Sequence, residues 1–502
     1  MGNPIKRLAA QTAVYGLSSI IGRFLNYLLV PLHVAAFTTD QYGIVTEMYA
    51  YVAFLVVLLT FGMETAYFRF ASITEKSASK VFATTMTALS VTTSLFILLS
   101  VLFSQPIAEW LMYPNHNEYV IWFAIIVGLD AVSSIPLARL RLENKPVNFV
   151  LVNFSNVGVN ILLNLFFLAY CMPEHKAGNT NWLIDTFYNP EIGVGYVFIS
   201  NLVASIVKFL LLSPQLIKMK AKASMELLKQ MVPYALPLLF AGLAGIVNET
   251  IDRVLLKRLL IGEYGETRTL HYVGIYGACY KLSIIMNLFI QAYRYAAEPF
   301  FFSHEKEKDS KKHFAEIMTY FVVVCSVIFL LVILYIDIFK FFIPGEEYWE
   351  ALRVVPILLM ANICLGIYYN QSVWYKLSNK TMYGAGIAVF GAIVTIVLNL
   401  LLIPYFNYMG AAWTTLACYF SMMVVSYLLG RKHYPIPYNI SKVVGYPLLA
   451  LGVYFISMYL RPENQMTVYA LNTLLFFLFI GLMMYLERQD MQKIMNRLRR
   501  RT

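Results

Sequence analysis

The chain is predicted to be an all-α polytopic membrane protein with fourteen transmembrane helices, and three observations predict it. Of its 502 residues, 59% are hydrophobic and only 13% are charged, about half the charged share of a soluble domain. The apolar residues gather into fourteen runs, each near the roughly 20 residues that cross a bilayer core. The first half of those runs also echoes in the second.

Lys80–Thr87 (KVFATTMT) returns as Lys312–Thr319 (KHFAEIMT), 232 positions on, with five of eight residues identical. Leu142-Glu143-Asn144-Lys145 returns as Leu377-Ser378-Asn379-Lys380, and Asn164-Leu165 as Asn399-Leu400, both at 235. Gly43-Ile44 returns as Gly274-Ile275 at 231. Gly193-Val194-Gly195-Tyr196 and Gly410-Ala411-Ala412-Trp413 open the sixth and twelfth spans only 217 apart, because the loop at 172–192 is longer than its counterpart at 404–409. The repeat predicts two six-helix parallel-repeat lobes, 1–217 and 218–434, followed by two C-terminal helices and a basic tail over 435–502. An even number of helices gives both lobes one orientation, so an axis along the membrane normal relates them, as in many transporters.

The first run, 9–35, is too long for a signal-peptide core and lacks a small-residue cleavage site, so it is read as a span. Its Gly16, Ser18, Ser19, Gly22 and Asn26 suit close packing or a hinge. Runs at 43–67, 82–104, 119–138, 147–171 and 193–213 complete the first lobe, and a basic connection over 214–230 leads out of it. The seventh run, 231–250, is interrupted by Pro233 and Pro237 and carries Gly242, Ala244 and Gly245. Runs at 272–297, 315–338, 352–375, 382–403 and 410–429 finish the second lobe, and 441–460 and 467–486 follow. No connection is long enough for a soluble catalytic domain. The five cysteines (Cys171, Cys279, Cys325, Cys364, Cys418) show neither metal-ligand spacing nor a disulfide framework. No nucleotide-binding or nucleophile motif is present, and no cofactor or metal is expected.

The net charge of +11 could suggest nucleic acid, but its placement follows a membrane topology. With the amino terminus inside, 27 of the 39 basic residues fall on inner segments and eight on outer ones. That is the positive-inside pattern, and it puts both termini in the cytoplasm. The exception is a predicted outer loop at 251–271 with Arg253, Lys257, Arg258 and Arg268. The basic tail Lys493–Arg501 is a topology anchor that can touch anionic lipid.

An ionisable residue inside a span costs roughly 2.5–3.5 kcal/mol on insertion scales, so it faces a cavity or a partner. Arg23, Lys281, Arg294 and Lys208 are the candidates for binding an anionic headgroup. Asp130, Glu47 and Glu249 are the candidates for a coupling proton or sodium ion. Glu64, Arg69 and Glu298 lie near the inner interface, and Asp252 and Arg253 near the outer end of the seventh span. Cations from both lobes make a positive lumen suited to phosphate or pyrophosphate, whereas efflux of cationic drugs calls for an acidic one. Lys281 and Arg294, thirteen positions apart, point to different faces of a straight helix, so one cavity takes both only if it is wide or the helix bends. Tyr276, Tyr280, Tyr368 and Tyr369 are candidates for contact with sugar rings.

The opening Arg7-Leu8-Ala9-Ala10-Gln11-Thr12, the glycine- and serine-bearing first span, Pro31 and Tyr42-Gly43-Ile44 resemble polysaccharide (O-antigen or capsule-type) flippases of the multidrug/oligosaccharidyl-lipid/polysaccharide exporter superfamily. The six-plus-six-plus-two plan extends the resemblance over the whole chain. The resemblance implies a multi-pass protein of the bacterial cytoplasmic (inner) membrane that is not an enzyme. It implies transport of a polyprenyl-pyrophosphate-linked oligosaccharide to the outer leaflet, driven by an ion gradient or the membrane potential, with membrane lipid and glycan-assembly proteins as partners. The alternatives are a lipid II flippase of the same plan, a multidrug antiporter of the same superfamily, a membrane enzyme of glycan assembly, and a scaffold without transport.

Overall fold

A computed structural model describes residues 16–499 apart from 17, 19, 74, 180, 218–220, 304 and 306–308. The Arg7–Thr12 opening, Ser19 and the side chains of the Lys493–Arg501 tail lie outside the described residues. All regular structure among the described residues is helical, and twelve helices are long and apolar enough to cross a membrane. A shorter apolar helix, α1 (Ile20–Ala36), comes first. The long helices are α2 (Thr39–Ala71), α3 (Ala78–Leu102), α4 (Asn117–Leu142), α5 (Pro146–Lys176), α6 (Gly195–Ile217) and α7 (Met225–Tyr264). They continue with α8 (Glu266–Phe302), α9 (Ser310–Leu334), α10 (Glu346–Leu377), α11 (Thr381–His433), α12 (Ile440–Tyr459) and α13 (Gln465–Arg488).

Helix α11 holds 53 residues. Straight, it would run about 80 Å at 1.5 Å per residue, more than twice a bilayer core. It breaks at Asn407, where φ is 50° and ψ −135°. The chain then folds back so closely that a Cβ on Gly410 would lie 2.5 Å from the Leu402 carbonyl oxygen. Fourteen segments are reached only by counting these two limbs and the shorter α1 separately.

Helix α7 corrects one expectation. It runs without interruption to Tyr264, with Pro233 and Pro237 inside it, and Gly265 (φ 74°) alone separates it from α8. The predicted basic outer loop at 251–271 is therefore helical. Three of its four cations stand on α7, where Lys257 is fully buried and Arg253 nearly so.

Helices α2 to α6 pack on one another, with α4 against α2, α3 and α6, and α6 against α5. Helices α7 to α11 form a second group, and α9 carries α12 and α13 on its flank. The groups meet mainly through α2, which lies against α7 and α8. Near the amino-terminal ends of α2 and α8 that contact is backbone to backbone. A Cβ on Gly43 would stand 2.1 Å from the Leu270 oxygen, one on Gly274 1.9 Å from the Thr39 oxygen, and one on Gly277 2.5 Å from the Thr46 side chain. Only glycine permits so close an approach. Thr39 and Leu270, Gly43 and Gly274, and Thr46 and Gly277 are each 231 positions apart.

Polar bonds surround this seam. The His271 Nδ1 and Thr39 Oγ1 atoms are 2.7 Å apart, and Tyr348 donates to the Phe37 oxygen at 3.1 Å. Buried Glu47 of α2 pairs with Lys257 of α7 at 3.0 Å. Lys257 also donates to the Leu111 carbonyl at 2.9 Å, and Arg258 to the Trp110 carbonyl at 2.6 Å. Farther along α2, Met63, Ala66 and Tyr67 pack with Met231 and Ala235 of α7, and the Arg69 guanidinium lies 4.4 Å from the centre of the Tyr234 ring.

Candidate functional site

Two adjoining chambers lie where α1, α2, α5 and α6 face α7 and α8. The larger, of 510 Å³, is lined by Arg23, Glu249, Arg253 and Lys281 among others. The smaller, of 420 Å³, is lined by Arg23, Glu249, Arg294 and Glu298, with α10 supplying Tyr368 and Tyr369. Arg23, Glu249, Asn287 and Gln291 belong to both walls, so the chambers adjoin at these residues. Lys281 faces the larger chamber and Arg294 the smaller, as their thirteen-residue spacing on α8 requires of two different helix faces.

The cations are held to different degrees. The Arg23 Nη1 donates to Gln291 Oε1 at 2.9 Å, a neutral contact between α1 and α8. Arg253 pairs with Asp252 at 2.9 Å, stacks 4.2 Å from the Tyr280 ring centre and donates to the Glu249 carbonyl oxygen. Arg294 stands 3.6 Å from Glu298 and 4.1 Å from the Tyr369 ring centre. Glu298 is drawn more tightly to Lys376, at 2.6 Å. Lys281 has neither a hydrogen bond nor an ion pair among the described residues. A partly buried ammonium without a partner costs several kcal/mol unless water or an anion meets it. Four cations against Glu249 and Glu298 leave the walls electropositive.

Some expected residues stand elsewhere. Lys208 lines neither chamber; its ammonium pairs with Asp130 at 2.5 Å, which ties α6 to α4. Asp130 also accepts from Ser205 at 3.0 Å. Glu47 lines neither chamber either, being taken up by Lys257 and the Tyr113 hydroxyl. Of the three carboxylates expected to bind a coupling ion, Glu249 alone faces the chambers. Of the four tyrosines expected near sugar, Tyr280, Tyr368 and Tyr369 line a chamber. Tyr276 does not; it is fully buried and donates to Asp252 at 2.6 Å. Glu64 is bonded to Arg141 between α2 and α4.

The sequence reading missed Arg253 as a chamber residue, because it was assigned to a loop. It also missed the amides Asn26, Asn156, Asn160, Asn201, Asn287 and Gln291. A signal for some of them was available, since four asparagines recur at helical spacing along one apolar span.

The fold is similar to that of several solved transporters. One is the lipid II flippase MurJ in an inward closed conformation, at TM-score 0.73 and 13% identity over 95% of this chain and 99% of that one. Another is an inward-facing multidrug resistance MATE family transporter of the MOP superfamily, at TM-score 0.61 and 13% identity over 87% of this chain and 95% of that one. A third is a MOP superfamily transporter from Pyrococcus furiosus described as having a binding pocket of reverse polarity, at TM-score 0.54 and 14% identity over 86% of this chain and 96% of that one. No curated protein matches the chain. At such identities these likenesses establish the fold alone. Over residues 8–305 the sequence matches a family model described as polysaccharide biosynthesis protein. With more than half of its length matched to that model, this multi-pass helical membrane protein belongs to the polysaccharide biosynthesis protein family.

Proposed function

We propose that the protein is a flippase that carries a polyprenyl-pyrophosphate-linked oligosaccharide from the cytoplasmic to the outer leaflet of the bacterial inner membrane. The observation that carries this reading is the electropositive double chamber, with Lys281 unpartnered among the described residues and Arg23 held only by a neutral amide. A pyrophosphate supplies the anionic oxygens that these groups need, and the arginine fork suits it geometrically. The polyprenyl tail stays in lipid while the glycan passes through the hydrated chamber. That path avoids stranding polar groups in hydrocarbon, where each unsatisfied one costs several kcal/mol.

Two lobes, 1–217 and 218–434, rock about the α2–α8 seam in this reading. With both termini cytoplasmic, the seam at Gly43 and Gly274 closes the outer side. Glu249, the chamber carboxylate, is the candidate for binding a proton or sodium ion and for coupling the cycle to a gradient. The residues 435–502 flank the second lobe.

The test is export of a lipid-linked glycan in cells that lack their own flippase. Arg23→Glu and Lys281→Glu should each abolish export at normal protein level. Lys281→Gln should weaken it about ten- to hundredfold, the scale of one charge-assisted hydrogen bond. Normal export by both charge-reversal variants would sink the reading. The likeness to the lipid II flippase MurJ favours lipid II as a second cargo; rescue of cells depleted of lipid II transport separates the two.

A further inference from the structure

The chamber walls differ in balance. Across the larger chamber, α7 and α8 present Arg253, Lys281 and Glu249 beside the amides Asn287 and Gln291, whereas α1, α5 and α6 present mostly amides: Asn26, Asn156, Asn160 and Asn201. Arg23 is the one arginine or lysine on that second wall among the described residues. The amides derive from a pattern in α5, whose asparagines at 153, 156, 160 and 164 recur at three- and four-residue intervals and so share a face.

One end of this face is structural. Asn164, fully buried, accepts from His33 Nε2 at 2.8 Å and donates to the Asn160 carbonyl at 2.8 Å. Immediately beyond it the helix widens into a π-helical stretch, Leu165–Cys171, a local form common at functional sites. Toward the chamber the bonding thins out. Asn160 accepts from Asn164 at 3.1 Å and donates to Asn26 at 3.2 Å, and Asn201 donates to the Tyr49 hydroxyl at 3.0 Å. Each of these amides keeps further donor or acceptor capacity. Asn156 has no hydrogen bond among the described residues.

We propose that this wall is a carbohydrate subsite, distinct from the cationic wall that takes the pyrophosphate. The inference rests on the proposed function and adds to it an assignment of which surface reads the glycan. A phosphate gains little from neutral amides when cations stand opposite. A cationic drug gains nothing from them that water does not give. A sugar hydroxyl donates and accepts at once, and an amide offers two N–H donors and a carbonyl acceptor within one plane. Tyr27 and Tyr49 line the same chamber; Tyr27 is buried and stacked on Phe342 at 4.5 Å, so Tyr49 is the ring that a sugar can meet. The ligand class is therefore a neutral, hydroxyl-bearing sugar joined to pyrophosphate.

The experiment uses the purified full-length protein in detergent and two probes, farnesyl pyrophosphate and farnesyl-pyrophosphate-linked N-acetylglucosamine. Wild type should bind the sugar-bearing probe more tightly. Asn156→Leu combined with Asn201→Leu should weaken that probe about tenfold, the scale of one to two neutral hydrogen bonds. The same variant should leave the sugar-free probe within about twofold, which also reports that its fold is intact. Lys281→Gln should weaken both probes. Equal loss of both probes in the asparagine variant, or loss of neither, overturns the subsite and leaves the pyrophosphate reading standing. A wild-type protein that binds neither probe overturns the subsite together with the reading beneath it.

Discussion

The Lys257 ammonium has no exposure to solvent, and it meets Glu47 at 3.0 Å, the Leu111 carbonyl at 2.9 Å and the Tyr113 ring centre at 3.4 Å. Removing one member of such a buried pair strands the other charge and costs about 3–5 kcal/mol, whereas replacing both by apolar groups is often neutral. Lys257→Met is expected to lower the melting temperature in detergent markedly, and adding Glu47→Leu should recover most of the loss. A single variant that melts with the wild type would show that the pair contributes nothing. Three lysines thus stand in three settings: Lys257 is a bolt between helix groups, Lys208 pairs with Asp130, and Lys281 has no hydrogen bond or ion pair among the described residues. In the sequence they look alike. The partner of Lys208 is 78 positions away, and the rotation of one span relative to another is not written in either span alone. What could be read was the anomaly of charge in hydrocarbon. Arg23, Lys281, Arg294 and Glu249 were marked by that anomaly, and all four line the chambers.

At the scale of the helix, the spans were legible because about 20 apolar residues have few alternatives to crossing a bilayer. The errors fell where polarity misleads. The four cations over 251–271 looked like a solvated loop, yet three of them belong to α7, where Lys257 and Arg253 are buried against other protein. Seam geometry was also hidden, although its glycines were already visible as a repeat. Gly274→Val is expected to abolish export, since a side chain there meets the Thr39 carbonyl oxygen at 1.9 Å. It should also open the outer side, so that a cysteine placed at the chamber residue Thr46 reacts with a membrane-impermeant thiol reagent added outside. Gly452→Ala, where a Cβ has nothing within 4 Å, is the matched control and should export normally. Export by Gly274→Val at the control level would show that the helices part without consequence.

For the molecule as a whole, the proposed reading makes the seam and the chambers a one-sided vessel. All five native cysteines are buried, so an introduced thiol reports with little background. Asn287→Cys, on the wall common to both chambers, is expected to be modified from the cytoplasmic side and protected from outside. Labelling from outside alone would reverse the assigned orientation. In the two-lobe reading proposed above, the seam also speaks to descent. Gly43 touches Leu270 and Gly274 touches Thr39, so each segment grips the copy of its own neighbour, as in an isologous dimer. A half-length ancestor pairing with itself would draw both contacts from one glycine, and symmetry would oblige its two faces to be identical. Joining the twins in a single polypeptide lifts that obligation, and only then can the two halves of the chamber carry different side chains.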